Sequence, residues 1–448
     1  MRCFTVFARL CLMPLLLAAS LPAMTATGTL VVDTARLFDG QAVIEQARMV
    51  IEDGRVIAVG PQTSLAMPEG AEVIDHSERF VMPGLIAGHS HVGMVSGLDH
   101  GGENYSRETV LRDLVQFQRY GVVAVNALGL NRPLFHELRR EMRGTDHGGA
   151  DLYGAGAGVG AIGGLPPAGA MGLDDDQVQR PESVEEAREV VRQTVEAGVD
   201  MIKIWVDSGG GNFPTLAPEI YAAVIDEAHT LGVPVAAHVH DLEDARHVVE
   251  AGVDIIAHGV RDGLVDEEFT ELMVQNRVWY IPTLNIDEAN YIYAESPQWL
   301  DDEFFAAGLS TELRAQLEDD DWRAQSLQDA EKAREAVGNN LLNLALLHGA
   351  GVRVALGTDS GATALRIPGF AEHRELELMV SAGLTALEAL HAGTAGAAQM
   401  MRLEDRGTLT AGSKADFLVL TADPTQDILA TRSLLQVWRN GQLVTEGL

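Results

Sequence analysis

The chain has 448 residues, enough for one barrel-sized domain and a smaller companion. Apolar residues make up 46% of it, which supplies a sizeable core and excludes a disordered chain. A formal charge of −33 excludes nucleic acid and anionic lipid as partners and describes a strongly solvated surface, with dense acidic patches at Asp174–Asp176 and Glu318–Asp321.

Taken in chain order, the first segment reads as an export leader. Arg2 and Arg9 precede the apolar run Leu10–Ala19, and small residues follow towards Gly28. The run is too short to span a bilayer as a mature helix, so residues 1–26 are expected to be a signal peptide, cleaved between Ser20 and Thr27. Both cysteines, Cys3 and Cys11, fall inside it. The mature chain then has no thiol, and any metal site must use nitrogen and oxygen ligands. The expected location is periplasmic or secreted, without stable membrane association after cleavage; assembly into a homo-oligomer stays open.

Residues 27–80 read as short strands with Asp-Gly punctuation ("TLVVDTARLFDG", "ARMVIEDGRVIAVG"), and 403–448 return to that style with an Asn-Gly turn. Both ends are expected to build one small β-sandwich domain. Between them, residues 81–402 alternate apolar strands with amphipathic helices. One helix starts with a capping box, Ser183 with Glu186, and stops at Gly198; another opens at Asp241 and stops at Gly252. Counting "RFVMPGLIAGHSH" as the first, eight strands appear: "GVVAVNAL", "ADLYGAGA", "DMIKIWV", "VPVAAHV", "DIIAHG", "VWYIPTL" and "RVALGTD" follow. Nearly continuous apolar strands in eight alternating units predict an α/β fold, a (β/α)8 TIM-like barrel. Two stretches break the rhythm: a glycine-rich loop at 154–172, and an acidic, helix-prone insertion at about 287–335, read either as a lid or wall or as plain surface elaboration.

Barrels of this kind place their chemistry at the C-terminal ends of the strands. His89 and His91 end the first strand, His238 the fifth, His258 the sixth and Asp359 the eighth, while Lys203 lies inside the apolar fourth strand. A lone strand-end histidine is usually a satisfied core residue; this set is hard to assign to packing. Neutral imidazoles and carboxylates suit zinc and similar divalent ions. A buried, unpaired ammonium is costly. Lys203 therefore has two readings: a salt bridge with Asp207 or Asp200, or a carbamate formed with carbon dioxide, an anionic ligand able to bridge two metals.

The chain resembles the amidohydrolase superfamily, in the subgroup of imidazolonepropionase-like sequences and Xaa-Pro (Xaa-Arg) dipeptidases. "PGLIAGHSH" is similar to its HxH strand, "GVDMIKIW" to its strand with a carboxylated lysine, "VAAHVH" and "AGVDIIAHG" to its fifth and sixth strands, and "VALGTDS" to its eighth. The tail from "GLTALEALHAGTAG" to "FLVLTADP" is similar to its closing segment. The resemblance implies two divalent metal ions, zinc first among them. His89, His91 and Asp359 would bind one, His238 and His258 the other, and carboxylated Lys203 would bridge them. It implies that Asp359 carries the proton from a metal-bound hydroxide to the leaving amine. Two departures stand out: Ala87 occupies a position where family members often have an acid, and "VNALG" replaces an Arg-Asp pair ending the second strand.

Several weaker signals are set aside. Gly158, Gly160 and Gly163 match a dinucleotide fingerprint, but prolines rather than a helix follow. His240 is a candidate substrate contact; His136, His147 and His373 read as solvated, and Met400 and Met401 as helix core. The expected function is hydrolysis of an amide bond in a small molecule, a dipeptide or N-acyl amino acid. The alternatives are a hydrolase of a cyclic amide, lactone or organophosphate ester, and an exported metal-binding protein without catalysis.

Overall fold

A computed structural model describes residues 28–145 and 147–447. The leader expected over residues 1–26, with Cys3 and Cys11, lies outside the described residues. Four strands open the chain: β1 (Leu30–Phe38), β2 (Val43–Glu52), β3 (Arg55–Pro61) and β4 (Glu72–Pro83). Eight short parallel strands follow: β5 (Leu85–Ser90), β6 (Val122–Ala127), β7 (Asp151–Gly154), β8 (Ile202–Trp205), β9 (Val235–His238), β10 (Ile255–Ile256), β11 (Trp279–Tyr280) and β12 (Arg353–Val354). Three close the chain: β13 (Phe417–Leu420), β14 (Leu434–Arg439) and β15 (Gln442–Glu446).

The two chain ends form one hydrogen-bonded sheet in the order β15-β14-β13-β4-β1-β2-β3. Its hairpin turns are the Asp-Gly and Asn-Gly pairs of the sequence: Asp53 and Gly54, and Asn440 and Gly441, all have positive φ, as the tightest hairpins require. The sheet curls over its own core of Val32, Met49, Val81, Phe417 and Trp438, and its outer edge meets the loop before β13 through Val56 N–H to Ser413 O (2.9 Å). The expected sandwich is thus one sheet folded on itself. β4 continues to Pro83, so the segment read as one first strand divides at Gly84 between the two sheets. A Cβ at Gly84 would lie 2.4 Å from Val123, so only glycine fits that passage.

The eight parallel strands pair as two arcs, β5-β6-β7 and β8 through β12. One seam closes where Val159 bridges Ile204, and the other where Ser90 bridges Ser360. At the second seam Gly88 N–H donates to Leu356 O and His91 N–H to Ser360 O. The ring is therefore a closed barrel, and β5, β6 and β8 are buried along their whole length, as their apolar sequences require.

The expected helix borders are present with one change. Ser183 caps helix Val184–Ala197 by accepting from Glu186 N–H, and Gly198 ends it at φ 93°. Glu186 returns its carboxylate to Glu182 N–H rather than to Ser183, so the capping box is half formed. The insertion is helical and anchored: Tyr293, Trp299, Phe304 and Phe305 pack with Phe370 and Tyr120, whose hydroxyl donates to Phe304 O (2.6 Å). Among the described residues no helix is long and apolar enough to cross a membrane.

Candidate metal centre

All six residues that end or interrupt the apolar strands gather at the C-terminal mouth of the barrel. His89 and His91 leave β5 on the same side because strand side chains alternate. The Nε2 atoms of both approach Asp359 Oδ1, at 3.2 and 2.9 Å. His258 stacks obliquely between its neighbours, with ring centroids 4.6 Å from His89 and 4.4 Å from His238. Asp359 sits at φ 59°, an uncommon conformation for a side-chain-bearing residue. Its N–H and that of Thr358 both donate to His89 O, which locks the end of the eighth strand onto the first.

The donors are buried and poorly satisfied. Both ring nitrogens of His89, His91 Nδ1 and Lys203 Nζ have no hydrogen-bond partner among the described residues. Buried polar atoms are rarely left so, and four of them on three residues of one cluster call for a ligand. Ligand atoms of His89, His258 and Asp359 lie within 4.8 Å of one another. Burial keeps these imidazoles neutral: His89 falls to about 3, with Lys203 adding to the effect, and His258 is pushed well below its usual value. A neutral imidazole is the form that donates to a metal. Burial works to raise the Asp359 carboxyl, but Arg366 and the two histidines outweigh it and hold the carboxyl well below the usual range. Nitrogen and carboxylate donors of this kind fit a divalent cation.

Lys203 is resolved against one of its two readings. Its amine is buried, lies 5.6 Å from the Trp205 ring, and makes no salt bridge among the described residues. Asp200 is held by Arg139 and Arg143, and Asp207 by His238, so neither expected carboxylate is available. Burial brings the Lys203 amine down to about 7. A neutral amine is the form that reacts with carbon dioxide. Gly158 of the glycine-rich loop packs over this strand: at φ 89°, a Cβ there would be 2.4 Å from Trp205.

Four supporting residues were given no such role by the sequence. Asp207 Oδ2 accepts from His238 Nε2 (2.9 Å) and orients that ring, while the His238 hydrogen bond, against the effect of burial, brings Asp207 to about 2. Thr283 Oγ1 does the same for His258 Nδ1 at 3.1 Å. Arg366 forms an ion pair with Asp359 Oδ2. Glu372, fully buried, accepts from the hydroxyls of Thr358 (2.7 Å) and Ser360 (2.8 Å) on either side of Asp359, and from Gly369 N–H. Thr283 carries a signal as a polar residue ending the seventh strand, and Asp207 enters the sequence reading only as a partner for Lys203. Where "VNALG" replaces the Arg-Asp pair, buried Asn126 donates to Gly88 O (2.7 Å) and braces the HxH strand from its neighbour.

Other histidines fall outside the cluster. His240 lies just beyond β9 with its ring bound to Asp241 and its side chain 37% exposed. His373, read as solvated, is fully buried: its Nε2 hydrogen-bonds to Tyr120 O among aromatic rings, because its helix is enclosed by the insertion. His136 is half-buried against Gly198 O, and His147 meets Met142 O, so neither is simply solvated. Met400 and Met401 are core, as expected.

A barrel capped by a small β domain, with histidines, a lysine and an aspartate at its mouth, defines a metal-dependent hydrolase architecture. The sequence matches the amidohydrolase family over residues 80–444, and the chain belongs to that family. An uncharacterized protein of Mycobacterium tuberculosis is 30% identical over 261 residues, 56% of this chain and 58% of that protein. The chain thus spans a little over half the length of the first curated relatives it matches. An imidazolonepropionase of Deinococcus deserti is 39% identical over 99 residues, 21% of this chain and 24% of that protein. Among solved structures, a Xaa-Pro dipeptidase with methionine bound in its active site superposes with TM-score 0.74 at 23% identity, covering 94% of this chain and 100% of the other. Phenylurea hydrolase B superposes with TM-score 0.69 at 22% identity, covering 93% and 96%. At these identities the two structures share the fold.

Proposed function

We propose that this protein hydrolyses an amide bond in a small molecule carrying a carboxylate, a dipeptide or N-acyl amino acid. The observation that carries the reading is the approach of buried His89 and His91 to Asp359 at the barrel mouth, with further ring nitrogens of both and Lys203 Nζ left without partners among the described residues. His89, His91 and Asp359 would hold one divalent cation, His238 and His258 a second, and Lys203, as a carbamate, would join them. Bound cations, zinc by preference for this donor set, would lower the pKa of water towards 7 and polarise a carbonyl. The chain's own contribution is to fix the geometry and move the proton. Asp359 would accept the proton of the attacking water and return it to the leaving nitrogen. Arg366 keeps its carboxylate ionised between transfers. Asp207 and Thr283 fix the orientations of His238 and His258, and Glu372 holds the Asp359 turn. His240, at the half-exposed rim, would contact the substrate.

The likeness to a phenylurea hydrolase favours a second reading on the same site, a urea, cyclic amide or other ester-like electrophile. Specificity in this architecture belongs to loops rather than to the barrel. The deciding experiment loads the purified chain with zinc and bicarbonate and screens dipeptides, N-acyl amino acids, phenylureas and lactones. Release of a C-terminal amino acid, abolished by a chelator and restored by zinc, is the expected result. Turnover that survives complete metal removal refutes the metal-dependent reading. Turnover of only phenylureas or lactones refutes the dipeptide assignment. The leader at residues 1–26 belongs to the same proposal: the protein acts outside the cytoplasm, and cell fractionation checks it.

A further inference from the structure

The opposite end of the barrel holds a different kind of cavity. It occupies about 420 Å³ and opens among the N-terminal ends of the strands, lined by Asp254, Arg277, Trp279, Arg353, Gln399 and Arg402. Residues at this end support β10, β11 and β12 from below, so the metal donors at the opposite strand ends play no part in it.

Three features set these arginines apart. First, none of the three makes an ion pair among the described residues, in a chain with 65 acids against 32 bases. Elsewhere Arg139, Arg406 and Arg374, buried or half-buried, are matched with Asp200, Asp151 and Glu288, whereas half-buried Arg180 bonds only backbone carbonyls; of the three at the cavity, Arg353 is half-buried and Arg277 and Arg402 are exposed. With acids in twofold surplus, three unmatched guanidinium groups around one cavity are not a shortage of partners. Second, Arg277 and Arg402 occupy left-handed backbone positions, φ 55° and 57°, immediately beyond the helices that end at Gln275 and Met400. Glycine is the residue ordinarily favoured there, because a Cβ strains that conformation. Local backbone preference therefore does not explain either arginine, and both side chains line the same cavity. Third, Arg353 is pre-set: its guanidinium lies 4.5 Å over the Trp279 ring, and its buried Nε has no hydrogen-bond partner. The one acid on the rim, Asp254, is already engaged by His229 and Val235 N–H, both at 2.8 Å. Arg402 spends one nitrogen on Gly232 O (2.9 Å) and keeps the rest of its fork.

We infer that this cavity is a binding site for a small multivalent oxyanion, with Arg277, Arg353 and Arg402 as its ligands. Planar guanidinium forks match phosphate and carboxylate oxygens in pairs, and the volume suits a molecule of a few to a dozen heavy atoms. A phosphate ester and a dicarboxylate share this chemistry, and they are the two sources to be told apart.

The backbone supplies a clean test. In Arg277→Gly/Arg402→Gly both substitutions install the residue the left-handed positions favour, so the fold and the turnover at the far end are expected to be retained. Methyl phosphate and succinate are titrated separately, by calorimetry, into the zinc-loaded full chain of parent and variant. Either anion can also meet the metal centre, but that contribution is common to both proteins and drops out of the difference. The expected result is one saturable site in the parent for at least one probe, weakened about a hundredfold in the double variant, roughly tenfold for each charge-assisted contact removed. Methyl phosphate binding alone identifies a phosphate ester, and succinate binding alone a dicarboxylate. Arg353→Gln, which keeps a planar group over Trp279 without the charge, must weaken the same site if the double variant proves difficult to purify. Absence of saturable binding for both probes, or equal affinity in parent and variants, overturns the inference.

Discussion

Replacing Lys203 by methionine removes the one amine buried among the site donors while keeping an unbranched side chain one atom shorter. In the metal-free, carbonate-free protein this amine titrates at about 7 rather than 10.5 because burial disfavours its charge. Each tenfold change in a proton equilibrium is worth about 1.4 kcal/mol, so the protein gives up on the order of 4–5 kcal/mol of folding stability where the lysine would be charged in both states. The sign follows from proton counts. Between about pH 7 and 10.5 the unfolded state binds the proton and the folded state does not, so stability rises with pH across that window. Below about 7 the penalty is complete, and above 10.5 it is gone. Lys203→Met is therefore expected to be more stable than the parent near pH 6, with the difference shrinking steadily towards pH 10. Urea unfolding midpoints of both metal-free proteins across that range measure it. With zinc and bicarbonate the order reverses, because only the parent can form the bridging carbamate and gain from tight metal binding. A methionine variant less stable than the parent at pH 6, or a difference independent of pH, refutes the account of this buried amine.

Three further perturbations follow from the same geometry. Asp359→Asn keeps the shape and loses the proton carrier, so kcat is expected to fall about 10²–10⁴-fold with the fold intact by circular dichroism; near-parent kcat removes Asp359 from proton transfer. Glu372→Ala strands the hydroxyls of Thr358 and Ser360 and the Gly369 N–H, costing on the order of 3 kcal/mol in unfolding free energy and 10–100-fold in zinc affinity. Unchanged zinc affinity by competition with a chromogenic chelator contradicts its role in holding the Asp359 turn. Gly361→Ala puts a Cβ 2.2 Å from His91 O at φ 80°, so His91 must move; the melting temperature and zinc binding should fall together, and a drop in one alone argues against the coupling.

The strand-end residues were legible because of where the apolar runs stop. A nearly continuous apolar strand ends in a polar group where the barrel opens, which marked His89, His91, His238, His258 and Asp359 without knowledge of their partners. Lys203 stood out for the opposite reason, a charge in the middle of a buried strand. The supporting residues followed no such rule. Glu372 lies on helix Phe370–Ser381, whose faces are almost all buried between the barrel and the insertion, so no polar stripe marks its inward carboxylate. His373 on the same helix misled for the same reason. Arg366 reaches Asp359 from a loop whose path depends on tertiary contacts. Asp207 was visible, but its choice of His238 over Lys203 rests on loop geometry that spacing does not encode. The barrel was readable from alternation, whereas the passage of one extended segment from the small sheet into the barrel at Gly84 was not, because both halves are equally apolar.

The small sheet places β4 between β1, its close neighbour in sequence, and β13, which comes from the far end of the chain. A nascent polypeptide carries β4 with one edge unpaired until residues 417–420 are made. Met82 and Val81 wait for Leu418 and Val419, and Phe80 for Leu420. The sheet therefore acts as a proof of completeness: a molecule truncated before residue 417 holds an open, apolar strand edge that is prone to aggregation and open to proteolysis. This latch ties survival of the chain to the meeting of β4 with β13.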